Sequence, residues 1–71
     1  MKNYEKQIEE FGKEIADEVV KKMRDPKFTP YLERYKVASS ISRIHDVEIM
    51  VAMEDLEKSI SRNIKRILES N

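Results

Sequence analysis

Residues 38–56 read ASSISRIHDVEIMVAMEDL, and this stretch decides the fold because its apolar residues recur every three positions. The recurring positions are Ala38, Ile41, Ile44, Val47, Met50, Met53 and Leu56. An α-helix turns about 100° per residue, so a spacing of three moves the apolar position by about 60° around the helix at each step. A single amphipathic stripe therefore cannot contain all of these side chains.

Two structures are compatible with this pattern. One is a continuous helix from Pro30 to the C-terminus that different neighbours cover along its length. The other is a helix that breaks and resets its phase. We favour a break at His45-Asp46, because Asp46 can serve as the N-cap of a new helix. A break at Ser39-Ser40 is the alternative position, since serine is also a good N-cap residue.

Downstream of the break the apolar spacing becomes regular and predicts a helix over about 47–69. Its stripe comprises Ile49, Met53, Leu56, Ile60, Ile64 and Ile67. Upstream, a second stripe predicts a helix over about 4–24, and its members are Tyr4, Ile8, Phe11, Ile15, Val19 and Met23. Asp25-Pro26 ends that helix, and Thr29 with Pro30 begins a middle helix over about 30–44. The predicted fold is all-α, with two to three helices in a single domain over residues 1–71.

Chain length favours self-association. A domain of 71 residues buries only about 60% of its unfolded surface, and the absence of cysteine excludes stabilising disulfides. The similar lengths of the first and last helices suit antiparallel packing of these two helices within the chain. The apolar surface near Met50 is too wide for one neighbouring helix, which predicts a homodimeric helical bundle. The predicted interface consists of Val47, Met50, Val51, Met53, Leu56 and Ile60.

The charge balance disfavours several classes of protein. Lysine plus arginine and aspartate plus glutamate both total 14, so the chain is not strongly basic. No apolar run approaches the roughly 18 residues of a membrane span, and the start MKNYEKQIEE does not resemble a signal peptide. We expect a cytoplasmic protein without membrane association.

Motifs that carry chemistry are missing from the sequence. His45 lies beside Asp46, but a metal or general-base site needs more converging ligands than the chain supplies. Acids at helical spacing are typical of a solvated face, and no Gly-rich phosphate loop occurs. We expect no enzyme activity and no cofactor. An enzyme with an acidic site formed across the dimer is the least favoured of three functional classes.

The favoured class is a small interaction or regulatory module that binds itself and a protein partner. Tyr31 and Tyr35 lie one turn apart and either seal the bundle edge or form a partner surface. The alternative class is nucleic-acid binding through a basic patch assembled by the dimer. Its predicted phosphate contacts are Arg34, Lys36, Arg43, Lys58, Arg62, Lys65 and Arg66. A helix-turn-helix reading is disfavoured, because its recognition helix would begin with Asp46 and Glu48.

Overall fold

Three α-helices form the regular structure in the computed structural model, which describes residues 4–23 and 29–70. The first helix, α1, spans Glu5–Lys21; α2 spans Pro30–His45, and α3 spans Ile49–Ser70. No strand occurs within the described ranges, so the all-helical prediction is confirmed. α1 ends at Lys21, three residues before the predicted end at position 24, because Lys22 already departs from the helical conformation. The predicted Asp25-Pro26 stop lies outside the described residues.

The boundary between α2 and α3 confirms the predicted break and corrects the role of Asp46. Asp46 has a φ of 52° and a ψ of 46°, so it ends α2 in the left-handed conformation. Aspartate is one of the few non-glycine residues that adopt this conformation readily. The Ala52 N–H donates to the Glu48 carbonyl oxygen at 3.0 Å, which places Glu48, and not Asp46, at the start of α3. Ser39 and Ser40 lie inside α2, so the alternative break is wrong.

This break explains the three-residue spacing of the apolar side chains. Ala38 and Ile41 lie on the inner face of α2 and are buried. Ile44 and Met50, on either side of the turn, are largely exposed, and Leu56 is again fully buried. The apolar series therefore leaves the core at the end of α2 and returns to it one turn into α3.

The middle helix begins as the sequence predicts. Thr29 occupies the N-cap position and Pro30 the first turn, where the missing proline N–H leaves no helical bond unmade. The Leu32 N–H donates to the Thr29 carbonyl oxygen at 3.2 Å. The Thr29 side chain makes no capping hydrogen bond, so the local conformation that Pro30 fixes defines this helix start.

The helix directions differ from the prediction for the first and last helices. Contacts between α1 and α3 join Tyr4 to Asp55 and Ile8 to Ser59, so residue numbers rise together along both helices. The two helices are therefore parallel, and the predicted antiparallel packing is wrong. Each of the two connections reverses the chain direction, so the first and third helices of a three-helix bundle point the same way.

The core lies between the three helices, and α1 and α2 each pack more extensively against α3 than against each other. The buried apolar side chains are Tyr4, Ile8, Ile15, Ala16, Ala38, Ile41, Ala52, Leu56 and Ile60. Phe11, Val19, Val37 and Met53 border this cluster and are half-buried. The Cα atoms extend over 36 × 26 × 14 Å, so the bundle is flattened.

α1 approaches α3 closely where Gly12 meets Ser59. A Cβ atom added to Gly12 would lie 2.7 Å from the Ser59 Cβ and 3.2 Å from its backbone carbonyl carbon. The buried Ser59 hydroxyl donates to the Ile8 carbonyl oxygen at 3.3 Å. Asn63, also buried, donates to the Ser59 carbonyl oxygen at 2.8 Å. Glycine at position 12 thus permits a contact in which backbone and small side chains pack directly.

Candidate functional site

One side of α3 carries exposed apolar side chains at its two ends that the other two helices leave uncovered. Met50 is 80% exposed and Leu68 is 53% exposed. They are 18 residues apart, which is five helical turns, so they project from the same side of α3 about 27 Å apart. We name this surface the α3 flank, and its residues are Met50, Met53, Glu57, Ser61, Ile64 and Leu68. Met53 and Ile64 are half-buried along its inner border.

The structure separates the six residues of the predicted dimer interface. Leu56 is 0% exposed and Ile60 is 4% exposed, so both belong to the core within one chain and are not accessible to a partner. Val47 is half-buried in the turn before α3. Val51 is more than a third exposed but lies about 100° around the helix from Met50. Met50 and the edge of Met53 therefore form the accessible part of that prediction.

The two tyrosines of the predicted partner surface lie beside the α3 flank. Tyr31 is 56% exposed and Tyr35 is 46% exposed. The Arg34 guanidinium lies 5.8 Å from the centre of the Tyr31 ring, a distance typical of a cation–π contact. The same guanidinium lies 3.8 Å from the Glu57 carboxylate of the α3 flank. Arg34 thus connects Tyr31 to Glu57 of the flank.

Several of the predicted phosphate-binding side chains already interact with carboxylate or amide groups of the same chain. Arg62 pairs with Glu9 of α1, and the Lys58 Nζ lies 3.4 Å from the Glu54 carboxylate. Arg66 donates to the Asn63 side-chain oxygen at 2.8 Å, while Arg34 pairs with Glu57 as described above. The remaining three, Lys36, Arg43 and Lys65, are exposed and distributed over two helices. The nucleic-acid alternative stays a prediction, which salt-dependent binding to duplex DNA or RNA would test.

A polar cluster forms where the start of α1 meets the end of α2 and the first turns of α3. The Tyr4 hydroxyl donates to the Asp55 carboxylate at 3.0 Å. His45 Nε2 donates to the Gln7 side-chain oxygen at 2.6 Å, and the Tyr4 and His45 rings are 6.1 Å apart. These contacts tie the three helices together at one end of the bundle. His45 therefore has packing and hydrogen-bond partners of its own.

Two concave regions lie between the helices. A cleft of about 310 Å³ lies between α1 and α3. Both acidic and basic side chains line it, including Glu5, Glu9, Lys58 and Arg62. A groove of about 450 Å³ between α1 and α2 has a more apolar lining. Among the described residues, no group of three or more histidine, cysteine, aspartate or glutamate side chains converges on a point where a metal ion could bind.

The sequence pattern predicted neither the α3 flank nor the α1–α2 groove. Leu68 carried the signal for the flank, because its distance from Met50 is a whole number of helical turns. The groove depends on how far α1 and α2 separate, and no sequence spacing records that distance.

Within the described part of the chain, no helix is both long enough and apolar enough to cross a membrane. Comparison of the chain with models of protein families, with curated proteins and with solved structures finds no match. The functional proposal below therefore rests on the surfaces of this chain alone.

Proposed function

We propose that this protein is a non-enzymatic interaction module that self-associates as a two-fold homodimer through the α3 flank. The observation that carries the proposal is the exposure of Met50 and Leu68 on the same side of one helix. Two large apolar side chains so exposed lose the free energy that burial would provide. A second copy of the same surface can cover both of them.

A two-fold axis near the middle of α3 makes the α3 flank self-complementary. If two α3 helices pack antiparallel about residue 59, Met50 of one chain lies opposite Leu68 of the other. The same arrangement places Glu57 opposite Ser61, where the serine hydroxyl can donate to the carboxylate. The apolar ends and the polar centre of the flank therefore find matching partners in one symmetric arrangement.

The expected affinity is moderate. Full burial of an exposed methionine or leucine side chain contributes about 1.5–3 kcal/mol, so burial of the 80% of Met50 and the 53% of Leu68 that are exposed in each of two chains contributes about 4–8 kcal/mol. The loss of translational and rotational freedom opposes association by about 4 kcal/mol or more. Since a micromolar dissociation constant corresponds to about 8 kcal/mol, we expect a dimer that dissociates at micromolar concentration or above. Tyr31 and Tyr35 lie close enough to extend the interface.

The proposal is tested by substitution of Met50 with lysine. Because Met50 is exposed, Met50→Lys leaves the single chain folded but places a charge in the dimer interface. Sedimentation equilibrium should show a monomer for Met50→Lys and a concentration-dependent dimer for the unaltered chain. Ile44→Lys is the matched control, because Ile44 is 67% exposed but lies on α2 away from the α3 flank. We expect this control to dimerise like the unaltered chain.

A charge-pair variant tests the antiparallel pairing itself. Leu68→Glu should also dissociate the dimer, whereas the double variant Met50→Lys/Leu68→Glu places opposite charges across each end of the interface. The double variant should recover dimerisation in part, and this recovery should weaken as salt is added. A monomeric unaltered chain at high micromolar concentration, or dissociation of the Ile44→Lys control to the same extent, would contradict the proposal.

A further inference from the structure

The groove between α1 and α2 is the second unfilled surface of the bundle. These two helices contact each other less extensively than either contacts α3, so the core is open along their common edge. The floor of the groove is apolar and consists of Phe11, Ile15 and Val37. Phe11 and Val37 are half-buried, so part of each side chain remains available for contact.

The rim of this groove is acidic. Glu14 and Glu18 follow each other one turn apart on α1, and Glu33 faces them from α2. Lys22 lies at one end, with its Nζ 3.4 Å from the Glu18 carboxylate. Within the described residues, no ion pair holds Glu14 or Glu33, and the described lining contains three carboxylates and one ammonium group, that of Lys22.

We propose that the α1–α2 groove binds a basic amphipathic helix of another protein. The wall that α1 provides runs from Phe11 to Lys22, which is about 17 Å or three helical turns. A helix of that length presents two or three apolar side chains to the floor, and a volume of about 450 Å³ accommodates them. Lysine or arginine on both sides of its apolar face would lie against Glu14, Glu18 and Glu33.

A second copy of this chain does not supply such a helix. The basic half of α3 uses its apolar face within its own bundle, where Ile60 is buried and both Ile64 and Ile67 pack against the core. The apolar face of the basic half of α3 is therefore not available to fill the groove of another copy. This fact and the acidic rim of the groove both favour a separate protein as the source of the bound helix. The inference is therefore independent of self-association through the α3 flank.

A synthetic peptide provides the direct test. The probe is a labelled amphipathic peptide of about four helical turns, with leucines along one face and lysines on both sides of them. Fluorescence anisotropy should show saturable binding to the intact protein, with one peptide per chain. The Met50→Lys variant should bind the peptide with unchanged affinity, because the α3 flank is not involved.

Two sets of variants locate the bound peptide. Glu14→Lys/Glu18→Lys reverses two charges on the rim and should weaken binding about tenfold. Glu10→Lys/Asp17→Lys reverses the same number of charges on the outer face of α1 and should weaken it much less. Val37→Ala removes part of the floor and should weaken binding about threefold without changing its salt dependence.

The outcomes separate groove binding from general electrostatic attraction. Equal losses in the two double variants, together with no effect of Val37→Ala, would overturn the proposal, because the peptide would then respond to net charge alone. The absence of saturable binding at up to about millimolar protein would also overturn it. Circular dichroism of each variant confirms that the helices are retained, so that a loss of binding reports the groove.

Discussion

Replacement of Gly12 with alanine tests the close contact between α1 and α3 at Gly12 and Ser59. In a solvent-exposed helix this change stabilises by about 1 kcal/mol, because glycine is a poor helix former. Here the new Cβ would lie 2.7 Å from the Ser59 Cβ and 3.2 Å from its backbone carbonyl carbon. Rotation of the serine hydroxyl relieves neither contact, so α1 must move away from α3.

The expected magnitude follows from the balance of these two effects. Overpacking in a closely packed core destabilises by about 1–3 kcal/mol. After subtraction of the gain in helix propensity, we expect Gly12→Ala to lower the free energy of unfolding by up to about 2 kcal/mol. For a domain of this size the melting temperature should fall by roughly 4–8 °C for each kcal/mol.

Urea unfolding followed by circular dichroism, at a fixed protein concentration, measures the effect. Asp17→Ala is the control for helix propensity, because Asp17 is exposed on the same helix and its replacement should stabilise slightly. Ser59→Gly removes the atom that the new methyl group meets, so Gly12→Ala should be nearly neutral in that background. Stabilisation of the otherwise unaltered chain by Gly12→Ala would refute the close approach of α1 and α3.

Three further predictions concern Asp46 in the turn between α2 and α3, the two tyrosines of α2, and Arg34, whose Nε atom is buried. Asp46→Gly should preserve or raise the free energy of unfolding, and Asp46→Ser should lower it by about 1 kcal/mol, because the left-handed conformation favours glycine. If thermal unfolding shows the reverse order, Asp46 acts as an N-cap of α3. Tyr31→Ala/Tyr35→Ala should lower the free energy of unfolding by about 2 kcal/mol in urea titrations, because each ring is about half buried; unchanged stability would assign both rings to partner binding. Arg34→Met should leave the free energy of unfolding unchanged or raise it in the same assay, because the buried Arg34 Nε finds no hydrogen-bond partner among the described residues. A decrease of more than about 1 kcal/mol would show that the ion pair with Glu57 stabilises the fold.

The sequence by itself determined the helical class and the main helix positions. Apolar stripes at helical spacing gave the inner faces of α1 and α3, except at Met23 and Ile49, which are exposed. Proline placed the start of α2 at Pro30. The change of phase near His45-Asp46 located the second turn. These features are local, because they depend on the geometry of one helix and on the conformational preferences of proline.

Tertiary structure decided which of the apolar residues become surface. Leu56 and Met50 both belong to the three-residue series and to the predicted dimer interface, yet Leu56 is fully buried while Met50 is among the most exposed side chains. The difference arises because α1 and α2 cover α3 from two sides and leave a third side open. Neither the parallel direction of α1 and α3 nor the position of that open side is encoded in the spacing of one helix.

The same reasoning applies to Gly12, Asp46 and the acidic groove. A lone glycine within a helical pattern indicates a special position, but the partner that requires it, Ser59, is 47 residues away in the chain. The pattern places Asp46 at a helix boundary, but its backbone angles decide that it ends α2 and does not begin α3. The groove exists because α1 and α2 separate along their length. Contacts between distant segments determine the first and the last of these features, and they form when the helices pack.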